Sequence, residues 1–152
     1  TRDCIKALEM VFSIDHIKSA IDFGTGTGIL ALAASLLGCG RILAVDLNFL
    51  AASTALRNIR LNNLENGIMV VQGRAEDFID SVSDLVIANI HYDVMKDLIA
   101  SRKFYNKKWF ILSGLLQSQA TAVRGDLFRN RINIINAWEC DGIWHTLLGK
   151  KD

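Results

Sequence analysis

From Ala20 to Leu36 the chain reads AIDFGTGTGILALAASL: an apolar run, glycines at the alternate positions 24, 26 and 28, then a second apolar run at helical spacing. No other stretch limits the possible folds as much. An apolar run broken by glycine reads as a buried strand entering a tight turn. Glycine lets the backbone turn sharply and leaves no Cβ against a bound molecule. The helix that follows presents unpaired N–H groups at its start. A strand, a glycine turn and a helix form the first unit of a doubly wound sheet, whose ligands lie beyond the carboxyl ends of the strands.

The rest of the chain continues this alternation. Helices are expected over residues 1–12, 27–37, 49–61, 94–100 and 117–128, where apolar residues recur at helical spacing. Strands are expected over 18–23, 41–45, 68–72, 84–88 and 109–112, and two closing strands over 132–138 and 144–148 flank the turn Asp141-Gly142. The predicted fold class is therefore α/β: a doubly wound, mostly parallel sheet with a terminal antiparallel strand pair at one edge. No repeat, low-complexity tract or linker interrupts it, so residues 1–152 are read as one domain. The chain begins at Thr1 and not at Met, which suggests a piece of a longer protein.

Composition agrees with this reading. Hydrophobic residues make up 51% of the 152, as suits strands covered on both faces. A net charge of +1 gives no global field that favours nucleic acid or an acidic membrane. Cys4, Cys39 and Cys140 are too few and too scattered for a disulfide framework or a zinc site, so no metal is expected. No apolar run approaches a membrane span and none reads as a signal peptide, so a cytoplasmic location is expected. The chain has no proline.

The glycine loop has two acidic companions. Asp22 precedes it, and Asp46 ends the second strand at the distance where a carboxylate grips ribose hydroxyls. The GxGxG spacing is tighter than the GxGxxG of dinucleotide folds, which counts against NAD. The pattern DFGTGTGILALAA…ILAVD resembles the nucleoside-binding motifs of class I S-adenosylmethionine (SAM) methyltransferases, a Rossmann-like fold. The resemblance implies cofactor-binding roles for Asp22, Gly24, Thr25, Gly26, Gly28, Asp46 and Leu47, and for Asn89 at the end of the fourth strand. In many such enzymes an acidic residue after the third strand holds the adenine amino group. Arg74 stands there in QGRAEDF, so Glu76, Asp77 or the Ala75 amide is expected to substitute, unless residues 75–78 form an exposed turn.

The fourth strand ends in Asn89, beside the switch point of the sheet. Amino-methyltransferases often carry [DN]-P-P-[YF] here, and this chain has Asn89-Ile90-His91-Tyr92 without either proline. A side-chain carbonyl at Asn89 accepts an N–H from an amine and aims its lone pair at a methyl group. A lysine amine, with an ordinary pKa of about 10.4, must first lose a proton. His91 is a candidate to take it, with an ordinary pKa of about 6.5, although it reads first as a solvated loop histidine. Asn89 also fits a turn residue, and Tyr92 either closes the pocket or forms a wall of the core.

Several segments together resemble one family, the methyltransferases of ribosomal protein L-eleven (PrmA). They are TRDCIKALE, DFGTGTGILALAASLLG, AVDLN, NIRLNN, DLVIANI, ILSGLLQSQ and WHTLLGK. Of these, ILSGLLQSQ has no obvious part in generic SAM binding. The resemblance implies SAM-dependent methylation of amines on a ribosomal protein, with S-adenosylhomocysteine as product. It also implies that Thr1 belongs to a threonine pair near the cofactor and that Asn89 lies near the amine. The chain lacks the family's N-terminal recognition domain and the glycine-rich segment before the threonine pair, and NIHYDV replaces a loop closer to NILA. A small-molecule acceptor, an RNA acceptor and a non-catalytic SAM-fold module therefore stay open. The RNA reading has only a short basic cluster behind it, Arg102, Lys103, Lys107 and Lys108, which reads first as a solvated loop.

Overall fold

The computed structural model describes residues 1–152. Seven strands form one sheet: β1 (Ser19–Phe23), β2 (Arg41–Asp46), β3 (Ile68–Gln72), β4 (Leu85–Asn89), β5 (Trp109–Leu115), β6 (Ile132–Cys140) and β7 (Trp144–Lys151). Their order is β3-β2-β1-β4-β5-β7-β6. The first five run parallel, and β7 runs antiparallel to both β5 and β6. This is the expected Rossmann-like architecture. The closing pair sits at one edge, with β7 inserted against β5 and β6 left outermost.

Alternation along the strands builds a core on each face. Trp109 and Ile111 of β5 face one way, and Phe110 and Leu112 face the other. Helices α1 (Arg2–Ile14), α2 (Ile29–Leu36) and α3 (Phe49–Leu61) cover the first face; α4 (Tyr92–Ala100) and α5 (Gln117–Arg129) cover the second. Each helix presents a narrow apolar stripe. In α1 it is Cys4, Ala7, Leu8 and Val11, at i, i+3, i+4 and i+7. Burying each such leucine or valine contributes roughly 1.5–3 kcal/mol. Cys4 and Cys39 are buried as free thiols, and Cys140 is half-buried. No helix is long and apolar enough to cross a membrane.

Boundaries depart from the sequence reading for local reasons. Helix α2 starts two residues late because Gly28, its N-cap, is left-handed with φ 83°. Helix α4 starts at Tyr92, two residues early. Residues 75–78 form a 3-10 turn that is half-buried except at Asp77. Strands β5, β6 and β7 all run longer than expected, because pairing with one another extends them.

Candidate functional site

The order of the sheet reverses between β1 and β4, so a crevice opens beyond their carboxyl ends. The glycine loop lies on one side of it. The Gly24 and Thr25 N–H groups both donate to the Val45 carbonyl, at 2.8 and 3.0 Å. The Gly26 N–H donates to Asp46 Oδ2 at 2.9 Å, and the Asn48 N–H donates to Asp46 Oδ1 at 2.9 Å. Asp46 thus ties the loop after β1 to the turn after β2. Asn48 in turn caps α3 by accepting the Leu50 and Ala51 N–H groups.

Asp22 lies beneath the loop and is only 1% exposed. Thr25 Oγ1 donates to its Oδ2 at 2.7 Å, and Oδ1 has no hydrogen-bond partner. Burial pushes its carboxyl up to about 7, against the pull of the Thr25 hydroxyl and the easing influence of the Ala31 amide, with the Asp46 charge adding to the rise. Asp22 and Thr25 therefore form the floor of the loop. Gly28 faces away from the crevice: a Cβ on it would stand 3.2 Å from the Ala55 Cβ, so its bareness serves the packing of α2 against α3.

Two clefts meet at the crevice. The first, about 560 Å³, is lined by Gly24, Asp46, Leu47, Ala75, Glu76 and His91, all singled out from the sequence, and also by Arg74, Ile90 and Val94. Arg74, standing where an acid was expected, pairs with Glu76 at 3.4 Å. Glu76's own backbone amide and then the Arg74 guanidinium hold its carboxyl below the ordinary carboxylate range. Asp77 is exposed and outside the cleft.

The second cleft, about 360 Å³, holds Thr1, Asp3, Asn89, Ser113, Gly114 and Trp144. Ile90 and His91 line both clefts and form the wall between them. The Ile90 side chain rests on Gly24, where a Cβ would stand 2.3 Å from Ile90 Cγ2. Thr1, expected near the cofactor, sits in the second cleft with Asn89 and not in the first with Asp46, because α1 packs across β5 and starts beside its end. Tyr92 lines neither cleft. As the first residue of α4 it packs against the core under α4 and α5.

In the basic cluster before β5, Arg102, Lys103 and Lys108 are exposed, as a solvated loop requires, and Lys107 alone departs from that reading. Lys107 is 1% exposed, and its ammonium donates to the Ile79 and Lys103 carbonyls. Lys103 pairs with Asp80, and Lys108 pairs with Asp15 at 2.6 Å. Ile90, Gly114 and the Ser113–Thr146 hydroxyl pair are the site features that sequence reasoning missed. The unplaced segment ILSGLLQSQ was the available signal for two of them.

A family model described as ribosomal protein L11 methyltransferase (PrmA) matches residues 1–152. A curated relative from Clostridium perfringens, named ribosomal protein L11 methyltransferase, is 36% identical over 152 residues, covering 99% of this chain and 47% of its own length. The chain spans about half the length of the curated relatives it matches. Among solved structures, a ribosomal protein L11 methylase from Lactobacillus delbrueckii superposes with a TM-score of 0.83 at 25% identity, covering 98% of this chain and 77% of that one. M. capricolum TrmK, solved with S-adenosylhomocysteine, superposes with a TM-score of 0.81 at 13% identity, covering 100% of this chain and 69% of that one, and shares the fold.

Proposed function

The chain belongs to the ribosomal protein L11 methyltransferase (PrmA) family, and from that membership we propose that residues 1–152 are the SAM-binding, methyl-transferring domain of a protein N-methyltransferase acting on an amine of ribosomal protein L11. The observation that carries the proposal is the meeting of two clefts at Ile90 and His91, with Gly24 and Asp46 in one and Asn89 in the other.

The first cleft fits an adenosyl cofactor. A carboxylate has about four lone-pair positions, so Asp46 keeps acceptor capacity for ribose hydroxyls after its two amide hydrogen bonds. Gly24 lines the cleft at the end of β1, Leu47 lies beside Asp46, and Ala75 and Glu76 are in the same lining. The bound S-adenosylhomocysteine in TrmK, on the same fold, supports this reading. When bound, the cofactor supplies a methyl group on a sulfonium, an electrophile that needs no further activation.

The chain's own residues then have to place an uncharged amine and exclude water. Asn89 Oδ1 accepts an N–H of the amine and fixes the direction of its lone pair. His91, on the wall shared by the two clefts, takes the ammonium proton. Ile90 closes the wall with an apolar side chain. A ribosomal-protein acceptor places the reaction in the cytoplasm.

Incubation with SAM and ribosomal protein L11, followed by peptide mass spectrometry, tests the assignment. Methyl groups on lysine or N-terminal amines of L11 are expected. Methylation of ribosomal RNA with none on L11 would overturn the acceptor.

A further inference from the structure

The segment ILSGLLQ closes β5 beside Asn89. Asn89 and Ser113 face each other in the β4–β5 register. One residue on, Gly114 has φ 82°, and the pairing of β5 with β7 slips between Ser113 and Leu115. Such a bulge lifts a residue out of the ladder and bends the strand. Here it makes room for the segment after β4. A Cβ on Gly114 would stand 2.9 Å from the Ile90 carbonyl oxygen, 3.4 Å from Asn89 Oδ1 and 3.6 Å from the Ile90 nitrogen. Two of these are backbone atoms, which cannot rotate aside. Ser113 is held on its other side, sharing a buried 2.7 Å hydrogen bond with Thr146 of β7. The strand end is pinned at Ser113 and bare at Gly114, and the Asn89 amide oxygen lies next to the bare Cα.

The geometry points to Ser113-Gly114 as a positioning element for Asn89: the hydroxyl pin fixes the end of β5, and the missing Cβ leaves room for the Ile90 carbonyl, so that the backbone after Asn89 lies close against β5 and holds the Asn89 amide oxygen at the second cleft. The inference rests on the proposed role of Asn89 at the acceptor amine. Gly114 lines the second cleft and not the first, so its effect falls first on transfer; Ile90, whose carbonyl it faces, lines both clefts, so cofactor affinity is read beside it. A glycine needed only for its left-handed backbone is replaceable by asparagine, which tolerates that conformation. A glycine needed for space is not, because asparagine carries a Cβ.

The test compares Gly114→Asn, Ser113→Ala and Asn89→Ala with Gly38→Ala. Gly38 has φ 109° and nothing within 4 Å of a built Cβ, so its alanine variant carries backbone strain without a clash. Three quantities are read: kcat and KM with SAM and ribosomal protein L11, affinity for S-adenosylhomocysteine, and the Asn89 Oδ1 position in crystal structures. Gly114→Asn is expected to lower kcat by about 100-fold, a larger loss than in cofactor affinity, with a displaced Asn89 Oδ1. Ser113→Ala is expected to lower kcat several-fold, and Gly38→Ala to leave it unchanged. Wild-type kcat in Gly114→Asn, with transfer lost in Asn89→Ala, would overturn the positioning role alone. Full turnover in Asn89→Ala would overturn the reading beneath it. Should Gly114→Asn not fold, Ser113→Ala decides: an unmoved Asn89 and wild-type kcat would overturn the inference. The crystallographic comparison stands whether or not this acceptor turns over.

Discussion

Asp46 Oδ2 accepts the Gly26 N–H at 2.9 Å, so the carboxylate that ends β2 also holds the glycine loop in place. Asp46→Ala therefore removes the tie between β2 and the loop together with the acceptor proposed for the ribose hydroxyls. With hydrogen bonds to a charged group contributing about 1.5–3 kcal/mol each, affinity for SAM is expected to fall by about 100-fold or more. The loop amides should also exchange faster with deuterium in the free protein. Titration calorimetry and hydrogen exchange read the two effects separately, and unchanged affinity would remove Asp46 from the cofactor site.

Asn89 lines the second cleft only. Asn89→Ala is expected to lower kcat by about 100-fold or more through loss of amine orientation, while SAM binds as in the wild type. Steady-state kinetics beside calorimetry would show the split. Parallel losses in both would mean that Asn89 serves the cofactor instead.

Burial holds the Asp22 carboxyl at about 7 in the folded chain, whereas an unfolded aspartate titrates at about 3.9. Between those values the folded state keeps a proton that the unfolded state has released. Stability from this group is complete below about pH 4 and is lost as pH rises through about 7. Asp22→Asn still accepts from Thr25 and carries no charge, so its curve should lack this fall. Relative to the wild type, the variant should gain on the order of a few kcal/mol between about pH 4 and pH 7.5. Denaturant melts across that range check the sign; parallel curves would contradict it.

Two glycines of the loop should fail differently. Gly28→Ala meets Ala55 at 3.2 Å with φ 83°, so it should cost about 1–3 kcal/mol of stability and leave cofactor affinity intact once folded. Gly24→Ala puts a Cβ 2.3 Å from Ile90 Cγ2 at the wall of the first cleft and should weaken SAM binding directly. Thermal melts paired with calorimetry separate the two. Equal loss of affinity in both would place Gly28 at the ligand.

Strands β1, β2 and β4 were legible because a parallel strand buried on both faces reads as an unbroken apolar run. The loop and its acids were legible because a strand, a glycine turn and a helix recur in a fixed sequence order. What stayed hidden depends on residues distant in the chain. Lys103, Lys107 and Lys108 look like one basic patch until Lys107 is seen to reach the Ile79 carbonyl and Lys108 to reach Asp15. Gly114 looks like a turn residue until Ile90 and Asn89 are seen against it. Thr1 was assigned by resemblance, and only the packing of α1 on β5 sets which cleft it enters.

Calorimetric titration of this chain with S-adenosylhomocysteine and, in parallel, NAD tests the central claim most directly. Binding of the adenosyl ligand with a single site, and none of NAD, is the expected result. NAD binding without S-adenosylhomocysteine binding would contradict the account of the glycine loop and Asp46 as an adenosyl-cofactor site.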